Sequence, residues 1–384
     1  MNKQISIVGW GSCSALGHEP GAIWTAYATH AATAIRWQQH LGAWGAALPG
    51  ASEAALEHLR QSRKAYARLD RSVLLAMLAG ERAAAMAGWA GEPQPVGLQI
   101  GSSRGATGLW EQYYGQYTAG EPLPPQVSPL TTAGNLATHT AQHLGLTGLV
   151  SDSSITCSTA LHAVANAVVW LESGRYDRFL AGGAEAPLTP FTVAQMKALK
   201  IYASDEAAAY PNRALEADKT ANTMVLGEGS ALFALATNAP QPLALIKGMG
   251  YAREATPTLT AVSAQGDGIR QAMAQAWQEA GQPPVDVVIC HSPGTVRGDA
   301  SERNAIRQVF GENIPSLASN KWKLGHTLGA SGGLSLELAL LLLQHQTWVP
   351  VPYLPPAEAP QKISNVLVNA LGFGGNAVSL LVGL

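Results

Sequence analysis

Short strand patterns alternate with glycine turns and helix patterns along the whole chain, and this alternation constrains the fold most. β-Branched or apolar runs predict strands at 4–8, 96–100, 178–181, 243–247, 285–290 and 366–369. Alanine- and leucine-rich stretches between them predict helices. Such alternation is typical of α/β proteins with buried strands. The 384 residues suffice for two or three domains or for one large duplicated fold.

The two parts of the chain also resemble each other. In the first part, the predicted strand 96–100 leads into the loop 101–104. In the second part, the predicted strand 285–290 leads into the loop 291–295 in the same way. Likewise, the segment 152–157 leads into a predicted helix in the first part, and its counterpart 319–326 leads into a predicted helix in the second. Internal similarity of this kind indicates a duplicated fold whose matching loops converge on one site. We therefore predict two similar halves, 1–236 and 237–384.

The composition excludes several classes of protein. Charged residues make up 13% of the chain, hydrophobic residues 47%, and the net charge is −2. This is a well-packed globular composition, with no overall field that favours nucleic acid or a membrane surface. The start of the chain lacks the pattern of a signal peptide, and the apolar segment 334–343 is short and carries Glu337, so we expect a buried helix there.

The three cysteines, Cys13, Cys157 and Cys290, are too scattered for a disulfide framework, which predicts a cytoplasmic protein with free thiols. Cys157 stands between a polar strand-like run and a helix rich in small residues. A helix N-terminus presents unpaired N–H groups to a nearby sulfur, so we expect a lowered thiol pKa and a nucleophile. The alternative is a small buried hydrophobic residue, and the local context does not separate the two.

Two histidines occupy similar places. His291 follows the apolar run that ends at Cys290 and opens the turn HSPGT, and His326 lies between glycines in KWKLGHTLGASGG. Either histidine, taken alone, could be a structural residue. The shared position of one cysteine and two histidines at strand-to-loop exits favours a joint site. Lys321 precedes His326 by five positions and would fix the charge around the histidines, with Glu302 or Asp299 as its anchor or merely as helix caps.

Near the end of the chain, NALGFGGNAV places Phe373 between Gly372 and Gly374. Such a turn can donate backbone N–H groups to an oxyanion or act as a small gate, unless it is only a glycine turn. The segment GWGSCSALG does not have the spacing of a dinucleotide-binding loop, and no metal-ligand spacing occurs among the cysteines and histidines.

Taken together, these blocks resemble the β-ketoacyl-acyl-carrier-protein synthases of the thiolase superfamily, of the elongating Cys-His-His type. The blocks are ITCSTALHA, VLGEGSA, HSPGT, KWKLGH and GFGG, and they extend over nearly the whole chain in the order of that family. The resemblance implies a thiolase-like duplicated fold with five layers, αβαβα. The KWKLGH block is unlike the chain-initiating Cys-His-Asn type, and residues 372–376 lack the second cysteine of a biosynthetic thiolase.

The resemblance also implies a mechanism without an organic or metal cofactor. Cys157 would take an acyl chain from a carrier-protein thioester, and His291 and His326 would assist the decarboxylation of a malonyl thioester. Backbone N–H groups of Cys157 and Phe373, in the turn with Gly372 and Gly374, would stabilise the oxyanion. Lys321, held by Glu302 or a neighbouring acid, would tune the histidines.

Departures from the family pattern favour a specialised pathway. Ser292 and Pro293 replace the usual residues after the histidine, and DKTANTMVLGEG lacks an Arg-Asp-Gly. A type II polyketide or aryl polyene system fits, because no acyltransferase or carrier domain is present in these residues. Two alternatives are a non-catalytic, chain-length-factor-like partner subunit, which would usually lack the cysteine, and a simple cysteine acyltransferase, which would not need both histidines.

The resemblance implies partners as well. They are an acyl carrier protein, loaded with acyl or malonyl groups, and a second ketosynthase-type subunit, either the same chain or a related one. A basic cluster could dock the acidic carrier protein, although it could equally be a solvated helix face: Arg63, Lys64, Arg68 and Arg71.

Overall fold

The computed structural model describes residues 3–29, 32–91, 95–355 and 358–384. Within these ranges the strands are β1 Ile5–Ser14, β2 Arg36–Gln38, β3 Ala43–Ala46, β4 Gly97–Gly101, β5 Val150–Ser153, β6 Arg178–Glu185, β7 Leu226–Gly227, β8 Gly229–Thr237, β9 Ala244–Arg253, β10 Val287–Ile289, β11 Ser316–Ala318, β12 Asn365–Gly372 and β13 Asn376–Gly383. The helices are α1 Pro20–Ala28, α2 Gly50–Ser62, α3 Arg71–Met86, α4 Thr107–Thr118, α5 Val127–Thr131, α6 Asn135–Leu144, α7 Thr159–Glu172, α8 Pro190–Ala198, α9 Asp267–Glu279, α10 Val296–Phe310, α11 Lys321–Leu324 and α12 Ser331–His345. All six predicted strands are confirmed, with shifted ends.

The large sheet repeats one strand order twice. In the first half the order is β5-β4-β6-β8-β1, and in the second half it is β11-β10-β12-β13-β9. In each half the first three strands are parallel and the last two are antiparallel to their neighbours. Strands β1 and β9 pair through three residues and join the halves. The duplication of the strand order is therefore present, while the boundary at 236/237 stays a prediction.

Helices form three layers around the two halves of the sheet. α3 and α6 cover the outer face of the first half, and α9 and α10 cover the outer face of the second. α7 and α12 lie between the halves, contact each other, and contact strands of both. This arrangement confirms the five-layer αβαβα architecture of the α/β fold.

The two central helices are apolar on almost all sides because both of their faces are covered by sheet. Residues 331–343 of α12 are all buried, which confirms the expectation of a buried helix at 334–343. None of the helices in the described ranges is both long enough and apolar enough to cross a bilayer.

Candidate active site

The loops that precede the two central helices meet at one cavity. This cavity has a volume of about 640 Å³, and its lining includes Cys157, His291, His326 and Phe373. Cys157 comes from the loop before α7, and His326 comes from the matching loop before α12. His291 follows β10, the middle strand of the parallel trio in the second half. The repeated topology thus brings residues from distant parts of the chain to one place.

A tight turn presents Cys157 at the start of α7. The side chain of Thr159 accepts a hydrogen bond from the Ile155 N–H at 2.8 Å and donates to the Thr156 carbonyl at 2.5 Å. Ser158 donates to the Ile155 carbonyl at 2.9 Å. Thr156 adopts a φ of 50°, a left-handed conformation that a threonine holds only when its surroundings enforce it. Strain of this kind next to the cysteine is typical of a functional position.

The thiol of Cys157 is not the low-pKa group that its position predicted. Burial, with a smaller contribution from the Glu185 carboxylate, raises the pKa of Cys157 to about 12. The positive charges of Lys321 and Arg104 act in the opposite direction. The prediction of a lowered pKa was wrong because the loss of water around the sulfur outweighs the favourable charges. At neutral pH the group is therefore the thiol and not the thiolate.

The two imidazole rings lie side by side. The ring centroids of His291 and His326 are 5.3 Å apart, and the ring planes are nearly perpendicular at 84°. Among the described residues, neither Nδ1 atom has a hydrogen-bond partner. Burial lowers the pKa of His326 to about 3, and burial, His326 and Lys321 together hold the pKa of His291 well below its usual value. Both rings are therefore neutral at pH 7, and each carries one N–H that can donate a hydrogen bond.

Glu302 of α10 holds the loop that carries His291. Its buried carboxylate accepts hydrogen bonds from the backbone N–H of His291 at 2.9 Å and of Ser292 at 2.7 Å. The Ser292 hydroxyl at 2.8 Å and the Asn369 amide at 3.0 Å complete the set. Four donors around one buried carboxylate fix the loop firmly.

Lys321 is fully buried, but Glu302 is not its anchor. The ammonium group donates to Asn320 Oδ1 at 3.2 Å and to Ser335 Oγ at 3.3 Å. Asp299 binds Lys219 instead, with 2.6 Å between Nζ and Oδ2. The predicted anchoring of Lys321 by either acid was therefore wrong, because both carboxylates are already occupied by other donors. Burial lowers the pKa of Lys321 to about 8, so the group is still mostly protonated at pH 7.

The block VLGEGSA packs behind His326. The His326 N–H donates to the Val225 carbonyl at 2.7 Å, and the Gly227 N–H donates to the His326 carbonyl at 3.1 Å. A Cβ at Gly227 would lie 2.0 Å from the Leu324 carbonyl oxygen, so only glycine fits at this position. This contact is the physical reason for a glycine in that block.

The closing turn between β12 and β13 reaches the site through Phe373. Phe373 and Gly372 line the cavity, and a Cβ at Gly372 would lie 2.2 Å from Oγ1 of Thr156, in the loop that carries Cys157. The Gly374 N–H donates to the Leu259 carbonyl at 2.7 Å. The N–H of Gly374 is therefore already paired, and the role of this turn as an oxyanion donor or gate stays a prediction.

The four basic residues of the predicted docking cluster differ in their surroundings. Arg63, Lys64 and Arg68 are exposed. Arg68 donates to Gln126 at 3.1 Å, and the Arg63 guanidinium lies 5.5 Å from the ring centre of Tyr66. Arg71 forms ion pairs with Glu53 and Glu228 and is partly buried, so its charge is less available to a partner than that of the other three. A docking role for the four residues stays a prediction.

Two residues of the site escaped the sequence analysis. Glu185, at the end of β6, is fully buried and accepts hydrogen bonds from Ser102, Ser103, Arg104 and Gly329. Arg104 lines the cavity, in a loop made otherwise of small residues. The only signal in the sequence was the correspondence of loop 101–104 with the loop that carries His291.

Comparison with known proteins agrees with this geometry. The family model of the beta-ketoacyl synthase N-terminal domain matches residues 3–240, and that of the beta-ketoacyl synthase C-terminal domain matches residues 243–354. The chain therefore belongs to the beta-ketoacyl synthase family, a family of condensing enzymes of the acyltransferase type.

Curated relatives and solved structures show the same similarity. The chain is 28% identical to nodulation protein E of Rhizobium sp. (strain N33) over 413 residues, with 98% of each chain covered. It is 27% identical to 3-oxoacyl-[acyl-carrier-protein] synthase 2 of Rhizobium meliloti (strain 1021) over 350 residues, 83% of this chain and 82% of the relative. The crystal structure of a beta-ketoacyl synthase from Burkholderia phymatum STM815 superposes with a TM-score of 0.87, 25% identity and 99% coverage of both chains.

A ketosynthase in complex with its chain length factor from Xenorhabdus doucetiae superposes with a TM-score of 0.78 at 23% identity, covering 100% of this chain and 98% of that one. At this identity the likeness shows the fold.

Proposed function

We propose that this protein is a β-ketoacyl synthase that joins a Cys157-bound acyl chain to a malonyl unit carried by an acyl carrier protein, with loss of carbon dioxide. The observation that carries the proposal is the shared cavity of Cys157, His291 and His326, with Phe373 beside them. A nucleophile, two neutral N–H donors and a backbone turn are the groups that a decarboxylative condensation requires.

In the first step, the sulfur of Cys157 attacks the carbonyl carbon of an acyl thioester. The carrier thiol leaves, and the Cys157 proton ends on it. Because the pKa of Cys157 is about 12, this proton must move during the attack, and a neutral imidazole of the pair can accept it in passing. The backbone N–H groups of Cys157 and Phe373 would stabilise the oxyanion.

In the second step, His291 and His326 would donate hydrogen bonds to the thioester oxygen of the malonyl group. The carbon–carboxylate bond breaks, carbon dioxide leaves, and its electron pair forms an enolate stabilised by these donors. The enolate carbon attacks the acyl carbon on Cys157, and the sulfur leaves as a thiolate that is then protonated. Lys321 would keep both imidazoles neutral, because its positive charge lowers the pKa of each ring.

The proposed partners follow from the same chemistry. An acyl carrier protein would bring both substrates, and Arg63, Lys64 and Arg68 offer it exposed positive charge. A second ketosynthase-type subunit would complete a homodimer or a heterodimer, as in the complex with a chain length factor noted above. We place the protein in the cytoplasm and its pathway among type II fatty-acid, polyketide or aryl polyene systems.

The alternative function is a non-catalytic partner subunit of a ketosynthase heterodimer, whose fold is the same. The retained Cys157, together with two neutral imidazoles in its cavity, favours the catalytic function. Intact mass spectrometry after incubation with an acyl-carrier thioester separates the two.

An acyl-sized mass increment is expected on the wild-type protein and not on Cys157→Ala. Cys290→Ala is a matched control, because that thiol is also buried but lies outside the cavity lining, and it should still be acylated. A folded wild-type protein that stays unmodified, alone and with a ketosynthase-type partner, would contradict the catalytic proposal.

A further inference from the structure

Arg104 is a charged residue in the wall of the catalytic cavity. Its backbone N–H donates to the buried Glu185 carboxylate at 3.1 Å, which fixes the loop after β4. Its guanidinium Nη2 donates to Gln195 of α8, which fixes the direction of the side chain. The guanidinium is therefore held at both ends of the residue and does not swing freely.

One N–H of this guanidinium has no acceptor. The Nε atom of Arg104 is inaccessible to solvent in this structure and has no hydrogen-bond partner among the described residues. A guanidinium has five N–H donors, and among the described residues only Gln195 accepts from that of Arg104, so other donors remain for an acceptor that enters the cavity. Arg104 has no ion pair with an acid in the described part of the chain, so its charge is also open to a ligand.

Apart from Arg104, the surroundings of Cys157 are apolar on the side where α8 lies. The sulfur belongs to a cluster with Val193, Met196 and Leu328, and Met196, Leu199 and Ile201 also line the cavity. An acyl chain attached to Cys157 would extend along this wall, which α8 helps to form. Arg104, bound to α8, places a cation beside an otherwise hydrocarbon path.

We propose that Arg104 is a specificity residue that selects acyl chains bearing an oxygen acceptor, a carboxylate or a ketone, over plain hydrocarbon chains. This inference rests on the condensing function proposed above and names the substrate class of the same cavity. A chain with such an oxygen gives the guanidinium an acceptor. A hydrocarbon chain removes water from the cation and offers no acceptor in its place, which is the situation in which polar sites discriminate most strongly.

The test measures binding and acylation separately. Binding is measured by calorimetry on Cys157→Ala, with N-acetylcysteamine thioesters of matched chain length that end in a methyl group, carry a ketone, or end in a carboxylate. We expect at least one oxygen-bearing chain to bind about ten- to a hundredfold more tightly than the hydrocarbon chain. Adding Arg104→Met should remove this preference, and Arg104→Lys should keep part of it for the carboxylate.

Lys197→Met is the matched control. Lys197 is an exposed cation on α8, the helix that Arg104 binds, and it lies outside the cavity lining. Its removal should leave the preference as it is. A preference for the carboxylate alone identifies an acidic chain, and an equal preference for the ketone identifies a keto chain. Equal binding of all three chains by the Cys157→Ala protein would overturn the proposal.

Acylation of the protein that retains Cys157 then tests the mechanism independently. If Arg104→Met slows acylation equally for every chain, Arg104 acts on the thiol and not on the chain, which also overturns the proposal. Absence of acylation with every thioester, together with an Arg104-dependent binding preference, would contradict the condensing function and leave the selectivity established.

Discussion

The two halves of the molecule share one strand order but contribute different chemical groups to the cavity. The first half supplies the thiol of Cys157 from the loop before α7. The second half supplies both imidazoles, His326 from the equivalent loop before α12 and His291 from the loop after β10. A duplicated scaffold thus brings matching loops together, and in the proposed reaction the residues within the loops determine which half holds the acyl chain and which half acts on the malonyl unit.

The loops themselves are held by a common device, which is a buried carboxylate surrounded by donors. Glu185 holds the loop 102–104 in the first half, and Glu302 holds His291 and Ser292 in the second. The two carboxylates come from different elements, the end of a strand and a helix. The comparison teaches that the support of the loops is similar in the two halves even though its source in the chain is not.

The largest expected effect separates the roles of the halves. His291→Ala or His326→Ala should lower the rate of condensation about 10²–10³-fold, because each removes one donor to the developing enolate oxygen. Acylation of Cys157 should persist in both variants. Product formation from acyl- and malonyl-carrier thioesters, and intact mass for the acyl adduct, measure the two steps. If both variants lost acylation to the same extent as condensation, the division between the halves would be wrong.

The second prediction concerns the two supporting carboxylates. Glu185→Ala and Glu302→Ala should each lower the free energy of unfolding by roughly 2–4 kcal/mol, because several buried donors lose their acceptor. Urea unfolding followed by circular dichroism measures this change. Glu254→Ala, which removes a less deeply buried acceptor of only two backbone N–H groups, those of Ser263 and Gly268, serves for comparison. A loss below 0.5 kcal/mol, within the scatter of ordinary surface substitutions, would show that the carboxylates do not hold the loops.

The third prediction compares two buried lysines of the second half. Lys321 has two neutral partners, whereas Lys323 donates to the carbonyls of Ala26, Thr29 and Ala32 in the first half. Lys321→Met should leave the protein as stable as the wild type or more stable, because it removes a buried charge that has no ion pair with an acid. Condensation should become slower in this variant. Lys323→Met should be less stable by about 1–3 kcal/mol, because three carbonyls lose their donor.

Thermal unfolding measures the stability of both variants, and product formation from acyl- and malonyl-carrier thioesters measures their rate of condensation. A Lys321→Met protein that is strongly destabilised would show that this lysine is structural.

The smallest effect is a pH dependence of stability. The pKa of Lys321 is about 8 in the folded protein and about 10.5 in an unfolded chain, so the unfolded state binds more protons between these values. The free energy of unfolding should therefore rise with pH from about 8 to 10.5 relative to Lys321→Met. The difference between the two proteins in urea unfolding across this range measures it. A flat difference would show that the lysine titrates normally in the folded protein.

Much of the fold was predictable because strands, turns and helices follow from local patterns. The six strand predictions correspond to β1, β4, β6, β9, β10 and β12. The family resemblance also pointed to Cys157, His291 and His326, and all three lie in one cavity. Their catalytic roles remain predictions.

The errors share one physical cause. The pKa of Cys157, the partners of Lys321 and the ion pairs of Arg71 depend on residues outside the motifs in which these groups were recognised, such as Glu185, Ser335 and Glu228. Local sequence shows which side chains can carry charge. It does not show which of them are buried away from water or which opposite charge lies beside them.

The α/β architecture, its duplication and the order of the chemical groups along the chain were thus predictable before the structure was known, because these depend on spacing and periodicity. Only the three-dimensional arrangement shows which groups are buried, which carboxylate holds which loop, and that Arg104 lines the cavity. Desolvation and hydrogen-bond pairing are properties of three-dimensional neighbours, which local sequence patterns do not specify.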